Sequence, residues 1–325
     1  MNNTDKIQFF YKDAIDNGLV FLPPDINHSG IRFRPVDGKT IRYGLGAIKG
    51  TGEAALGAIL KARENGGKLT PFTDLFDFCR RVDKRIVNRR VIEALIRAGA
   101  FDALDPPALD VNGKPLPVHR ARLLASVGVA IEAADQAERN ALQNNLFDDE
   151  FDGSGMLPPR HIEAAHWNER ERLLNEKQAL GFFFSGHPYH AYRAGLAPVV
   201  RKSLAQIEAQ REPLLLAGIV ISVRTQMTRR GKMAIVIIDD TSAQVEIAVF
   251  NELFESERAK IKEDDLLLVD GKVRNDFSGL RVTAEKLLTL GEARSRFAKR
   301  LHLSMNGGSN AEKLRTLLAP YRNGS

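Results

Sequence analysis

Two different spacings of apolar residues divide this sequence. In the segment from Glu53 to Glu64, Ala54, Leu56, Ile59 and Leu60 recur at helical spacing, and the pattern stops at the glycine pair 66–67. Leu75, Phe76 and Phe78 mark a second helical set; Ile86, Val91, Leu95 and Ile96 mark a third, which ends at Gly99. A longer helix is expected from about Arg120 to Gln143, with Leu123, Leu124, Val127, Ala130 and Ile131 on its inner face. Another is expected from Glu169 to Leu180. After Pro213 the period changes to two. Leu215–Ile221, Met233–Ile238 and Val245–Phe250 read as strands, Glu252–Lys262 as a helix, and Leu266–Val273 and Leu280–Leu288 as two further strands. Three strands, a helix and two strands is the order of a five-stranded OB barrel.

The remaining segments are less regular. The first 45 residues read as short strands and turns, with turn signals at Pro23–Asp25 and Val36–Gly38 around alternating Ile31, Phe33 and Val36. Four prolines between Asp105 and Val118 make a connector, and Asn144–Pro159 has the acidic, glycine-bearing composition of a mobile linker. From Arg300 to Ser325 the pattern gives a strand, a Gly-Gly turn and a short helix that ends abruptly. The expected fold class is therefore multidomain α+β: a mainly helical region, a linker, an OB-fold β-barrel and a truncated C-terminal βα unit.

With 325 residues, 43% apolar and 27% charged, the chain has room for two or three modest cores. Its one cysteine, Cys79, excludes a disulfide framework and a cysteine-built metal site, and fits a reducing cytosol. No apolar run reaches the roughly 18 residues a membrane helix needs, and the first ten residues lack the basic-then-apolar order of a signal peptide. The net charge is +6. Its distribution says more: Ile31–Ala100 holds 15 basic and 7 acidic residues, whereas Ile131–Leu180 holds 5 basic and 11 acidic. Such blocks suit different partners, a polyanion for the first; ordinary solvated surface is the alternative.

Ile48-Lys49-Gly50-Thr51-Gly52, followed by Ala55, Ile59 and Leu60, resembles a helix-hairpin-helix turn. Glycines let backbone N–H groups approach a DNA phosphate without a Cβ in the way, and the next helix adds its positive end. The competing reading is a plain glycine turn that starts a helix. A dinucleotide fingerprint has the same glycine spacing but needs a βαβ unit that does not follow. Gly38-Lys39-Thr40 fails as a P-loop because Phe33 stands where its first glycine is required. Arg80, Arg81, Lys84, Arg85, Arg89 and Arg90 form a basic run. With the glycine turn they give a tandem arrangement that straddles a duplex backbone and neutralises phosphates without reading bases. Lys49, Gly50, Thr51, Gly52, Arg85, Arg89 and Arg90 are the candidate duplex-binding residues.

In the barrel region, Arg224, Arg229, Arg230 and Lys232 cluster at the first hairpin, and Lys272, Arg274 and Arg281 on the last two strands. These are positions where OB folds hold single-stranded nucleic acid. Stacking aromatics are limited to Phe250, Phe254 and Phe277, so weak binding is expected. Metal readings are poor. His187 with His190, and His161 with His166, lack completing ligands, and the acidic doublets at 148–149, 239–240 and 264–265 read as solvated turns.

Longer stretches then point to one family: Leu22-Pro23-Pro24-Asp25-Ile26-Asn27, Tyr43-Gly44-Leu45-Gly46-Ala47-Ile48-Lys49, Asn88 through Asp102, and Glu176 through Pro188. In this order they resemble the C-terminal part of the bacterial C-family replicative polymerases, the DNA polymerase III alpha subunits. The resemblance implies the end of the fingers at 1–40, a tandem helix-hairpin-helix at 41–110, and a helical connector at 111–199. It implies an OB fold at 200–292 and the start of a tau-binding tail at 293–325. Within the connector, Gln143-Asn144-Asn145-Leu146-Phe147 is similar to the short peptide that grips the sliding clamp, the beta subunit; Gln143, Leu146 and Phe147 would be its anchors. The family's polymerisation carboxylates and Mg2+ belong to a palm upstream, so no cofactor and no nucleotidyl transfer by this chain alone are expected. The short tail would impair the contact with tau. A cytoplasmic, nucleoid-associated place in DNA replication follows from the same likeness. Rival readings are a stand-alone OB-fold protein for single-stranded DNA or RNA, and a small metal-dependent nuclease or ligase-like enzyme using the acidic doublets.

Overall fold

A computed structural model describes residues 4–65, 67–104, 119–144, 159–228, 231–276, 279–297 and 311–321. The chain divides into two compact units, Met1–His190 and Ala191–Ser325. The first opens with a helix, α1 (Thr4–Asp16), where strands and turns are expected. Ile7 and Tyr11, four residues apart, pack on the core, while Phe9 and Phe10 stay 67% and 63% exposed; those outward aromatics blur the helical period. Three short strands follow, β1 (Val20–Leu22), β2 (Arg34–Pro35) and β3 (Thr40–Arg42), with β3 central, parallel to β1 and antiparallel to β2.

Residues 43–48 are laid directly on the backbone of residues 30–33. Leu45 N–H donates to Gly30 O at 2.9 Å and Gly46 N–H to Ile31 O at 2.8 Å. A Cβ on Gly44 would lie 2.5 Å from Arg32 C, which explains a glycine there. The helices are α2 (Glu53–Ala62), α3 (Leu75–Arg81), α4 (Arg89–Arg97), α5 (Arg120–Asn144) and α6 (Glu169–Leu180), with a two-stranded ribbon β4 (Glu64–Asn65) and β5 (Lys68–Leu69) after α2. Asp74 and Asn88 cap α3 and α4 by accepting the N–H groups of Asp77 and Val91. Asn88 starts α4 two residues after Ile86, which lies outside the helix and is 42% exposed rather than the first turn of its inner face. Val91, Ile92, Leu95 and Ile96 supply that face and are buried with Phe78, Phe101, Leu123 and Val127 in one core.

A buried ionic cluster fastens α4, α5 and α6 together. Arg120 grips Asp102 with two hydrogen bonds of 2.8 and 2.6 Å, donates to Arg97 O at 3.2 Å, and lies 3.7 Å from Glu176. Glu176 is 1% exposed and accepts the N–H groups of Phe184 and Ser185. A buried charge demands such partners. Gly99 closes α4 at φ +87°, and a Cβ on it would stand 2.3 Å from a terminal nitrogen of Arg120.

In the second unit α7 (His190–Leu196) leads to a closed barrel of β6 (Leu214–Thr228), β7 (Gly231–Asp239), β8 (Gln244–Val249), β9 (Leu266–Asp276) and β10 (Gly279–Leu288). The barrel order is β10-β8-β7-β6-β9, closed by the antiparallel β9–β10 pair and containing one parallel pair, β8–β10. With α8 (Asn251–Glu257) between its third and fourth strands, this is the OB topology. Leu216, Val220, Val236, Ile247, Val269 and Val282 fill its interior. Outside it lie α9 (Leu290–Phe297), which the apolar pattern does not mark, and α10 (Ala311–Leu318), the expected short last helix. The expected strand after Arg300 falls outside the described residues.

Candidate nucleic-acid interfaces

The glycine turn is built from both sides. A single 3-10 turn at Leu45–Ala47 precedes it, and α2 follows. Thr51 is 7% exposed, and its hydroxyl reaches the carbonyls of Leu45 and Ile48 at 3.0 and 2.8 Å; it holds the turn from within. Gly50, at φ +83°, and Gly52 face outward, and a Cβ on either would meet nothing within 4 Å. Gly52 occupies the N-cap of α2 and offers no side-chain cap, so the first N–H groups of that helix are not closed off as those of α3, α4 and α6 are. Lys49 N–H donates to Ala179 O at 2.7 Å, tying the turn to the end of α6.

That tie creates a groove of about 320 Å³ lined by Lys49, Gly50, Arg90, Glu93, Arg97 and Gln178. The structure thus brings together Lys49 and Gly50 from the turn and Arg90 from the basic run. Its other expected members are placed differently. Arg80 and Arg81 hold Asp77 at 2.8 and 2.9 Å, and Lys84 holds Asp135 at 2.5 Å and Glu138 at 2.9 Å. Arg85, with a side chain 92% exposed, lies 3.3 Å from Asp83, and Arg89 lies 2.8 Å from Glu93. Arg90 and Lys49 have no ion-pair partner among the described residues. Burial opposes the charge of Lys84, but its two carboxylates outweigh it and raise its pKa. Burial likewise pushes the Cys79 thiol up to about 12, which leaves it a packed, unreactive side chain.

Arg97 and Gln178 were not among the sequence candidates. Arg97 stands seven residues after Arg90, two turns along the same helix face, and that spacing could have found it. Gln178 reaches the groove only through the tertiary tie at Ala179, and no local pattern marks it.

On the barrel, the register places Arg224 of β6 opposite Ile235 of β7, Ile235 opposite Ala248 of β8, Ala248 opposite Thr283 of β10, and Thr283 opposite Lys272 of β9. Arg224 and Lys272 therefore end one cross-strand row, and Arg274 pairs with Arg281 on the same β9–β10 hairpin. Lys272 forms an ion pair with Glu285. Lys232, at the β6–β7 hairpin, sits 5.7 Å over the Phe254 ring. Phe254 is 7% exposed and belongs to the core, whereas Phe250 is 50% exposed and can present a ring face. Arg229, Arg230 and Phe277 lie outside the described residues. So do Leu146 and Phe147; Gln143 falls in the last turn of α5. Among the described residues no group of three or more His, Cys, Asp or Glu could hold a metal ion, and no helix is long and apolar enough to cross a membrane.

Comparison with known proteins matches a helix-hairpin-helix motif model at residues 18–108 and an OB-fold nucleic acid binding domain model at residues 214–290. The DNA polymerase III subunit alpha of Neisseria meningitidis serogroup A is 43% identical over 326 residues, which is 99% of this chain and 27% of that protein. Over its whole length this chain is homologous to DNA polymerase III alpha subunits. The subunit of Escherichia coli K12 is 34% identical over 338 residues, covering all of this chain and 28% of its own length. The chain thus spans about a quarter of the DNA polymerase III alpha subunits it matches. Among solved structures, the second OB-fold domain of replication protein A from Methanococcus maripaludis is similar at 16% identity and a TM-score of 0.23, covering 31% of this chain and 98% of that one.

Proposed function

We propose that this chain is the nucleic-acid-holding part of a replicative DNA polymerase III alpha subunit. Its helix-hairpin-helix unit binds duplex DNA through the backbone, and its OB barrel binds single-stranded template through Arg224, Lys232, Lys272 and Arg274 with the hairpin residues Arg229 and Arg230. Gln143, Leu146 and Phe147 dock the sliding clamp, and the segment 293–325 contributes to contact with the tau subunit. The protein works in the cytoplasm at the nucleoid. The observation that carries the duplex reading is the groove: two exposed cations without an ion-pair partner among the described residues, Lys49 and Arg90, line it together with Gly50 of the outward glycine turn. Cations beside an outward glycine turn, with the uncapped start of α2 two residues further along the chain, suit a phosphate contacted through the backbone.

The test is fluorescence anisotropy of a labelled duplex of mixed sequence against a salt series. Each phosphate contact contributes about 0.9 to the log–log salt slope, so Lys49→Ala and Arg90→Ala should each lower it by about that amount. Arg89→Ala should change it less, because that guanidinium already has Glu93. Unchanged slopes in both Lys49→Ala and Arg90→Ala refute the reading.

A further inference from the structure

α4 carries a single carboxylate, Glu93, and it faces the groove just described. One of its oxygens accepts from Arg89 Nε at 2.8 Å and the other from Arg97 at 3.4 Å. Asn175 of α6 receives Arg97 Nε at 3.1 Å, which aims that guanidinium along the groove. Glu93 is thus a carboxylate held by two arginines in a basin whose other cations, Lys49 and Arg90, have no carboxylate of their own. Phosphate and carboxylate compete for the same guanidinium geometry. The Arg97–Glu93 contact is long at 3.4 Å, and i,i+4 pairs contribute little on a helix, so exchange at Arg97 meets little resistance.

We propose that this groove takes one backbone phosphate of duplex DNA and that Glu93 is its built-in competitor, holding Arg97 of the groove lining until the phosphate displaces it, while Arg89 keeps its pair with Glu93. The proposal rests on the duplex-binding reading above and adds an affinity-setting residue to it. A duplex that must slide past the protein is served by contacts that exchange with an internal anion instead of leaving bare charges behind. Glu93 acts through Arg97 and as a like charge beside the phosphate. It is a positioning residue.

The experiment measures duplex affinity of the full chain and of Glu93→Gln, again by anisotropy. Gln matches Glu in helix propensity and size, and a urea midpoint read from the single tryptophan, Trp167, checks the fold. Glu93→Gln should bind about tenfold more tightly at ~50 mM salt, with the gain falling below about threefold at ~300 mM as screening removes the electrostatic competition. In an Arg97→Ala background the gain should shrink. Equal or weaker binding at low salt overturns the proposal, as does a gain of the same size at every salt concentration. If Lys49→Ala and Arg90→Ala leave the slope unchanged, the duplex reading falls and this proposal with it. If they behave as expected and Glu93→Gln is flat, only the role of Glu93 falls.

Discussion

Gly50 and Gly99 both adopt the left-handed backbone, at φ +83° and +87°, yet alanine should affect them very differently. At Gly50 the added methyl meets open space, so Gly50→Ala costs only the left-handed conformation of a non-glycine residue, about 1–2 kcal/mol. At Gly99 the same methyl would sit 2.3 Å from one atom of the Arg120 guanidinium and 2.8 Å from another. Arginine tips usually move aside. This one is 7% exposed and committed to Asp102 at 2.6 and 2.8 Å, to Arg97 O, and to the fully buried Glu176 beyond it. Moving it away leaves buried carboxylate charge without its cation, a loss of about 3–5 kcal/mol on top of the backbone strain. Gly99→Ala should therefore destabilise the first unit by roughly 4–7 kcal/mol, against about 1–2 for Gly50→Ala. Trp167, directly before the Asn168 cap of α6, reports this unit alone in a urea titration of the full chain. Equal midpoints for the two variants would show that Arg120 has room to retreat and that the buried cluster is not a fixed constraint.

Two further outcomes follow from other parts of the chain. Replacing Leu146 and Phe147 together by Ala should abolish binding to the sliding clamp, measured by surface plasmon resonance, with the melting temperature unchanged; truncating a central aromatic anchor alone costs about 2 kcal/mol or more, and a lowered melting temperature with intact clamp binding would mean that the pair packs on α5. Glu292 at the start of α9 is held down to about 2, first by the ammonium of Lys260 and then by the N–H and hydroxyl of Thr289. Because its folded value lies below its ordinary 4.5, the ionised form favours the folded state: the contribution is complete above about pH 4.5 and is lost as the pH falls towards 2. A carboxyl-carbon NMR titration should place its inflection well below those of unpaired glutamates, and an ordinary inflection removes the Lys260 tie.

The elements read correctly from sequence are those in which several local signals agree. The pattern predicts helix α6 at Glu169–Leu180; the structure adds a capping box between Asn168 and Glu171 and a left-handed glycine at 181, start and stop signals encoded within a few residues of each end. The barrel strands declared themselves because a closed barrel buries alternate residues, and Ala234, Val236 and Ile238 keep that alternation visible. Where burial is thin, the signal is thin. β6 runs seven residues past its expected end, to Thr228, through Arg224–Met227, which are exposed and carry no apolar alternation. Helix α9 buries only Ala293 and is positioned by the reach of Lys260 to Glu292, a contact that no local period encodes.

The same difference separates a basic sequence from a basic surface. The run from Arg80 to Arg90 reads as a phosphate-binding strip because the carboxylates that neutralise it are scattered: Asp77 and Asp83 among its own turns, Glu93 one turn onward, and Asp135 and Glu138 on α5. Folding brings them within reach, so that Arg80, Arg81, Arg85 and Arg89 pair with carboxylates near them in the chain and Lys84 ties the α3–α4 turn to α5. A cation already held by a carboxylate gains less from a phosphate, since it must give up one partner to take the other. Within the run, Arg90 is the cation without an ion-pair partner among the described residues, and it lines one groove with Lys49 of the glycine turn, which has none among them either. Backbone recognition of the kind proposed would rest on that coincidence, an outward Gly50 between two cations that folding has not spent on carboxylates, with Arg97 on the same groove as the cation that Glu93 still holds.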